Sequence, residues 1–175
     1  VILPPDTSLM VCGPEQVCLP VGITDQNDNL YSVIVDNGWY DAVHSMVCFD
    51  ADTSGTYILT VTAEDSCGEV SSDDISVVVD FNSAPYLIYE WADSLISTCV
   101  PEVCVPIEAI DPDNNLAEVY TDWGTYNEEA GEICFTVDTN GTYCVEVYAV
   151  DSCGLADTLT ACVNVETGDF VYIDC

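Results

Sequence analysis

Residues 55–68 read GTYILTVTAEDSCG and residues 141–154 read GTYCVEVYAVDSCG, so one pattern occurs twice, 86 positions apart. After the initial Gly-Thr-Tyr, apolar and other residues alternate in both segments, which indicates a β-strand with one buried face. Each segment ends in an Asp-Ser-Cys-Gly turn. Cys18 and Cys104 keep the same offset. Two copies of this length are too long for solenoid repeats and fit two small sandwich domains.

Outward from these segments, the chain consists of short alternating stretches separated by turns rich in Gly, Asn and Asp. None of them has the spacing of an amphipathic helix. The strand-like stretches of the first copy are 17–23, 31–35, 47–49, 57–63 and 75–79, and the second copy repeats their order over 86–165. This pattern predicts an all-β protein made of two tandem immunoglobulin-like Greek-key β-sandwich domains.

The domain boundaries follow from the repeat. We predict a first domain over 1–80, a linker over 81–85 and a second domain over 86–166. The remaining stretch, 167–175, is largely apolar and ends in a cysteine. We interpret it as a strand that pairs with the next domain or with a neighbouring subunit.

The charge of the chain limits its partners. Asp and Glu number 32 and there is no Lys or Arg, so the formal net charge is -32. Such a surface repels phosphate backbones and anionic lipid, which argues against nucleic acid and membrane surfaces as partners. No apolar run approaches the length of a membrane span. A divalent cation is the natural counterion, and the plain alternative is that the charge only keeps the protein soluble.

Two motifs resemble those of cadherins. Residues 79–85 read VDFNSAP and resemble a degenerate cadherin linker, Asp-x-Asn-Asp-Asn-x-Pro, without its second Asp and second Asn. Residues 111–115 read DPDNN and resemble the acidic loops of cadherin-like and bacterial immunoglobulin-like repeats. The resemblance implies cadherin-like sandwiches with calcium at the boundary between consecutive domains. Carried over by matching positions, it implies as calcium ligands Asp80, Asn82, Asp111, Asp113, Asn115 and Asp151.

The chemistry of these side chains independently favours calcium, which takes about six to eight oxygen ligands from carboxylates, amides and backbone carbonyls. The first copy has an equivalent acidic loop and an equivalent turn. Its candidate ligands are Asp25, Asn27, Asp28, Asn29 and Asp65. The alternative is that these Asp and Asn side chains only satisfy the backbone groups of turns.

Cysteine content indicates the compartment. With 11 cysteines in 175 residues, the chain fits an oxidising environment, and we predict a secreted, extracellular protein. Partners on one sheet face, directly opposite each other on neighbouring strands, have the geometry that a disulfide requires. The predicted disulfides within the domains are Cys18–Cys48, Cys104–Cys134 and Cys144–Cys162.

The remaining cysteines allow two pairings. In a head-to-tail array, Cys12 would bond to Cys153 across the internal junction, and Cys99 would bond to Cys67 of the following subunit. This pairing makes the chain a repeating unit of a polymer, and it leaves Cys175 without an assigned partner. The competing pairing is local, with the bonds Cys12–Cys18, Cys99–Cys104 and Cys48–Cys67.

The sequence favours a structural role. His44 is the only histidine, and neither a nucleophile–base motif nor a phosphate-binding glycine loop accompanies it, so we expect no enzyme. We expect a subunit of a secreted fibre or surface array that self-associates head to tail and is stiffened by calcium and disulfides. The alternative is a calcium-dependent adhesin or a carbohydrate-binding module for cell-surface glycans. Its contacts would be Trp39, Tyr40, Trp91, Trp123 and Tyr126, although tryptophans in a sandwich usually belong to the core.

One further motif is an N-glycosylation sequon, Asn140-Gly141-Thr142. The equivalent residues of the first copy, 54–56, read SGT. The turn therefore does not need a glycan in order to form.

Overall fold

The computed structural model describes residues 1–91, 94–98 and 101–168. Within them every regular element is a β-strand, so the predicted all-β fold class is confirmed. The chain forms two compact units, Val1–Asn82 and a second that begins at Ser83, and this division falls inside the predicted linker. Among the described residues we find no helix with the length and apolar character to cross a bilayer.

The first unit is a two-layered sandwich. Its strands are β1 (Thr7–Val11), β2 (Glu15–Pro20), β3 (Leu30–Asp36), β4 (Trp39–Asp41), β5 (Met46–Ala51), β6 (Gly55–Asp65) and β7 (Val70–Phe81). One sheet has the order β1-β7-β6-β3 and the other the order β2-β5-β4. β1 pairs in parallel with β7, and the other pairs are antiparallel. This arrangement is that of an immunoglobulin-like sandwich.

The second unit repeats this plan. Its strands are β8 (Tyr86–Ile88), β9 (Leu95–Thr98), β10 (Glu102–Pro106), β11 (Glu108–Ile110), β12 (Leu116–Thr121), β13 (Thr125–Asn127), β14 (Glu132–Thr136), β15 (Gly141–Asp151) and β16 (Ala156–Thr167). The main sheets are β12-β15-β16-β9 and β10-β14-β13, and a short sheet joins β11 to β8. The predicted C-terminal strand falls mostly on 169–175, outside the described residues.

The alternation that predicts the strands also builds the two cores. In β6, Leu59 and Val61 are fully buried, as are Val145 and Val147 in β15, and each set packs within its own unit. Burying a side chain of this size contributes about 1.5–3 kcal/mol. The residues between them point to the opposite face of the sheet, and this outer face carries the disulfide of β15 and β16.

Three disulfides link directly opposite residues of antiparallel neighbours, on β2 and β5, on β10 and β14, and on β15 and β16. Their Cα atoms lie 4.0–4.1 Å apart. They are Cys18–Cys48, Cys104–Cys134 and Cys144–Cys162, the same three pairs that the sequence predicts.

The competing local pairing is wrong. Cys18 is bonded to Cys48, which excludes the bonds Cys12–Cys18 and Cys48–Cys67. Cys104 is bonded to Cys134, which excludes Cys99–Cys104. Cys12 and Cys153 each belong to a disulfide, and the predicted pairing of these two residues stays a prediction. Among the described residues Cys67 is a free, exposed thiol. Cys99 and Cys175 lie outside the described residues.

One expectation about burial is wrong. The tryptophans are not core residues, since Trp39, Trp91 and Trp123 are 39%, 41% and 39% exposed. The cores are filled mainly by aliphatic side chains, with one buried phenylalanine in each, Phe49 and Phe135. The indole of Trp123 packs against the outer side of the second core, with its centroid 5.1 Å from that of the Phe135 ring. Cys48 is buried, and Trp39 lies opposite it in register.

Candidate functional site

The acidic loop of the first unit is closed by its own first residue. Oδ1 of Asp25 accepts hydrogen bonds from the backbone N–H groups of Asn27 (2.8 Å) and Asn29 (3.1 Å). Asp28 takes a left-handed conformation with φ of 56°, which Asp tolerates better than most residues. The loop is therefore a compact turn between β2 and β3, in which Asn27 and Asp28 are exposed.

The turn between β6 and β7 is built in the same way and is joined to this loop. Oδ1 of Asp65 accepts from the N–H groups of Cys67 and Glu69, both at 2.8 Å. Ser66 donates its N–H (2.9 Å) and its hydroxyl (2.8 Å) to the backbone oxygen of Asn29. We call the 25–29 loop and the 65–69 turn together the first acidic end.

Asn29 lies between the two halves of the first acidic end. Its Nδ2 donates to Oδ2 of Asp65 at 3.4 Å. Its Oδ1 is buried and has no hydrogen-bond partner within the described residues. A buried acceptor without a partner costs about 1–3 kcal/mol. An oxygen-seeking cation beside Asp65 would satisfy it, so the donor set fits calcium.

The second unit has the same construction, which we call the second acidic end (111–115 and 151–155). Oδ1 of Asp111 accepts from the N–H groups of Asp113 (2.9 Å) and Asn115 (3.2 Å). Oδ1 of Asp151 accepts from two N–H groups of its own turn, at 2.8 and 2.9 Å. Ser152 donates its N–H and hydroxyl to the backbone oxygen of Asn115.

Asp151 differs from its counterpart in burial, because it is only 3% exposed while Asp65 is half-buried. A buried carboxylate needs a cation or several hydrogen bonds to offset the loss of water. The chain has no Lys or Arg to supply the positive charge. Asp151 meets this need with hydrogen bonds from the N–H groups of Cys153 and Leu155.

The linker residues have separate places. Asp80 is exposed near the end of β7, and Asn82 is buried, with its N–H donating to the backbone oxygen of Val11 at 2.9 Å. Oδ2 of Asp113 accepts from the N–H of Ser83 at 2.6 Å, which ties the acidic loop to the start of the second unit. The role of Asp80 and Asn82 as calcium ligands stays a prediction.

Closure of the four turns uses one oxygen of each turn aspartate. In each of the four turn aspartates, at 25, 65, 111 and 151, Oδ1 accepts from two backbone N–H groups. A carboxylate has a second oxygen with which to bind a metal. The turn interpretation is thus correct for one oxygen of each residue and does not exclude calcium at the other.

A pH effect follows from these turns. The hydrogen bond from the Glu69 N–H is the main cause that holds the pKa of the Asp65 carboxyl below its ordinary value of 3.8, helped by the N–H of Cys67 and by Asn29. Because the folded-state pKa is the lower one, the ionised carboxylate stabilises the fold above about pH 3.8, and this contribution is lost as the pH falls through the folded-state pKa.

We therefore expect Asp65→Asn to unfold at lower urea than the wild type at pH 7, with a chelator present. The gap should shrink once the pH falls below 3.8. Urea titrations across pH test this, and Asp50→Asn, at an exposed position of β5, is the matched control. A gap that stays constant at all pH values would show that the charge of Asp65 is not responsible.

One feature of the second unit has no signal in the sequence. Tyr120 and Tyr148 lie opposite each other on β12 and β15 with their rings stacked, at a centroid distance of 4.9 Å and an interplanar angle of 13°. The hydroxyl of Tyr148 donates to Oε2 of Glu146 at 2.6 Å. Only the strand register could have revealed this pair, since 28 positions separate the two residues in the sequence.

Among the described residues, one group of three Cys, His, Asp or Glu side chains has its ligand atoms close together, and it lies at neither acidic end. Sγ of Cys104, Sγ of Cys134 and a carboxylate oxygen of Glu132 lie within 4.8 Å of one another. Both sulfurs belong to one disulfide, so neither is a thiolate that could bind a metal.

No protein-family model matches the sequence, and no curated protein is significantly similar to it. Among solved structures, the fibronectin(III)-like modules of Clostridium thermocellum CbhA are similar over 93% of this chain and 90% of theirs, with 13% identity and a TM-score of 0.38. Drosophila N-cadherin EC1-4 is similar over 95% of this chain, with 15% identity and a TM-score of 0.39. The protocadherin GammaB4 extracellular domain is similar over 94%, with 15% identity and a TM-score of 0.46.

The chain spans 49% of the N-cadherin chain and 32% of the protocadherin chain. At these identities and TM-scores, the likeness assigns neither a ligand nor an activity. The structural neighbours of this chain are thus fibronectin III-like modules and cadherin extracellular domains, the class of fold that the sequence resemblance implies.

Proposed function

We propose that the protein is a structural, non-enzymatic subunit of a secreted extracellular fibre or surface array, stiffened by calcium and by disulfides. The observation that carries the proposal is the duplicated acidic end. Both units have the same loop and turn, joined by the same serine hydrogen bonds. Such repetition provides one equivalent cation site per unit, and a chain without Lys or Arg needs cations to offset its charge.

Calcium is the cation whose chemistry these ends suit. Each acidic end offers carboxylates and a side-chain amide oxygen, and these are oxygen ligands of the kind that calcium takes. Backbone oxygens and water complete the coordination in such sites. The proposed ligands are Asp25, Asn29 and Asp65 in the first unit and Asp111, Asp113, Asn115 and Asp151 in the second, with Asp80 and Asn82 added by the linker.

Head-to-tail assembly draws its support from Cys67. This thiol is free and exposed, while Cys153 in the same turn of the second unit is disulfide-bonded. In an oxidising compartment an exposed, unpaired cysteine forms a disulfide with another chain. We propose that Cys67 bonds to Cys99 of a neighbouring subunit.

The second candidate function is a calcium-dependent adhesin or a carbohydrate-binding module. Aromatic side chains exposed to solvent favour it, because sugar rings pack against such rings. Three tryptophans are part-exposed, and the Tyr120–Tyr148 pair adds a stacked platform next to a carboxylate. These are surface features of single units and do not need a polymer.

Electron microscopy and non-reducing gels of the purified protein in calcium, in chelator and in reductant test the proposal. Filaments that disappear in chelator would place calcium at the junctions. Filaments that survive chelator, fall to monomers in reductant and fail to form in Cys67→Ser would show covalent assembly. The double variant Cys144→Ser/Cys162→Ser is the matched control, since it removes a disulfide inside one unit and should still assemble. Monomers under every condition would contradict the fibre and favour glycan binding.

A further inference from the structure

We infer that Asn140 is an acceptor for an N-linked glycan, independently of calcium binding and of assembly. Its sequon, residues 140–142, lies where the chain enters β15. Asn140 and Thr142 are both exposed. A glycosyltransferase needs the side-chain amide of the asparagine and the hydroxyl residue two positions later, and both are on the surface here.

The amide of Asn140 has one engaged atom and one available atom. Its Oδ1 accepts from the N–H of Thr167 at 2.7 Å and from the Thr167 hydroxyl at 2.8 Å. Its Nδ2 makes no hydrogen bond to any described residue. Glycosylation attaches the sugar to Nδ2 and leaves the carbonyl oxygen unchanged. Both hydrogen bonds to Thr167 therefore survive the modification.

The first unit shows that this turn needs only an acceptor oxygen at the position of Asn140. Ser54, the equivalent of Asn140, accepts with its Oγ from the N–H of Phe81 at 2.9 Å, and Phe81 is the equivalent of Thr167. A serine hydroxyl thus does the structural work of the Asn140 carbonyl. The nitrogen of Asn140 is surplus to the turn, and it is the atom that N-glycosylation uses.

The surroundings leave room for a sugar. An open depression of about 350 Å³ adjoins Asn140 and is lined by Leu95, Thr142 and Asn164, among others. A Cβ added to Gly141 would meet no atom within 4 Å. Leu95 is 60% exposed and offers an apolar surface for the C–H face of the first sugar. Asn164 lies opposite Thr142 on the neighbouring strand. The equivalent position of the first unit, opposite Thr56, is Val78, so the first unit lacks this polar side chain.

The reaction is redox-neutral and needs a donor from the secretory pathway, an oligosaccharide linked to a polyprenyl diphosphate. A bond forms between Nδ2 of Asn140 and C1 of the first sugar, while the bond between C1 and the diphosphate oxygen breaks. Nδ2 loses one proton, and the polyprenyl diphosphate leaves. Thr142 supplies the hydroxyl of the sequon and returns in the folded protein to its hydrogen bond with Oδ1 of Asn164, at 2.7 Å.

The test is secretion of the full chain from eukaryotic cells that carry out N-glycosylation, followed by peptide mass spectrometry. We expect the peptide containing Asn140 to carry a hexosamine-based glycan, and peptide N-glycosidase to remove it and convert that asparagine to aspartate. Asn140→Ser and Thr142→Ala should lose the glycan, and Thr142→Ser should retain it. Asn140→Ser should melt at the same temperature as the deglycosylated wild type, because it keeps the acceptor oxygen.

Two results would overturn the inference. One is a secreted, folded wild type whose Asn140 peptide is entirely unmodified. The other is a glycan mass that persists in both Asn140→Ser and Thr142→Ala. The melting measurement distinguishes a variant that fails to fold from one that is only unglycosylated. None of these outcomes depends on filaments or on calcium.

Discussion

The double variant Cys104→Ser/Cys134→Ser should destabilise the second unit by about 3–4 kcal/mol, because the bond closes a loop across a sequence separation of 30. A cross-link of this kind acts mainly by restricting the unfolded chain. For a unit of this size, we expect the melting temperature to fall by roughly 15–25 °C. Scanning calorimetry in chelator measures the loss without a contribution from calcium.

Two other cysteine variants serve as controls, with expected losses of stability that are smaller than that of Cys104→Ser/Cys134→Ser. Cys67→Ser removes a thiol that forms no disulfide within the described residues, and the monomer should keep its melting temperature. Cys144→Ser/Cys162→Ser opens a shorter loop, with a separation of 18, and should cost about 3 kcal/mol. A Cys104→Ser/Cys134→Ser protein that melts together with the wild type would show that the bond does not limit the unfolded chain.

Calcium is expected to produce the second large effect. At a concentration about 100 times its Kd, a ligand that binds only the folded state adds about 2.7 kcal/mol of stability. We expect each unit to melt roughly 10–20 °C higher in calcium than in chelator. The double variant Asp111→Asn/Asp151→Asn should remove this shift from the second unit, and Asp25→Asn/Asp65→Asn should remove it from the first.

Asparagine is the informative replacement because its Oδ1 can still accept the two N–H groups that close each turn. The variant therefore removes the charge and keeps the turn. Asp50→Asn is again the matched control. Calorimetry with and without calcium, together with titration calorimetry, measures both binding and stability. An identical calcium shift in Asp111→Asn/Asp151→Asn and in the wild type would exclude the second acidic end as a calcium site.

The sequence was enough to locate the loops and turns of both acidic ends. The 86-residue offset aligned the acidic loops and their partner turns, and the structure closes both turns with equivalent hydrogen bonds. The offset could not show which oxygen serves the turn and which remains for a cation. That distinction depends on atoms from distant segments, such as Asn29 and Asp65, which are 36 positions apart in the sequence and meet only in the sandwich.

The sequence by itself determined the all-β class, the approximate positions of the longer strands and three disulfide pairs, but not short strands such as β4 and β13. The class and the strands follow from a period of two residues, which is a local property. The cysteine pairs follow from the strand order that an immunoglobulin-like sandwich implies. Only the tertiary structure decided that Asp151 is buried, that the tryptophans are part-exposed and that Tyr120 stacks on Tyr148. Burial and ring contacts depend on which strands become neighbours and in what register, and no stretch of sequence contains both partners.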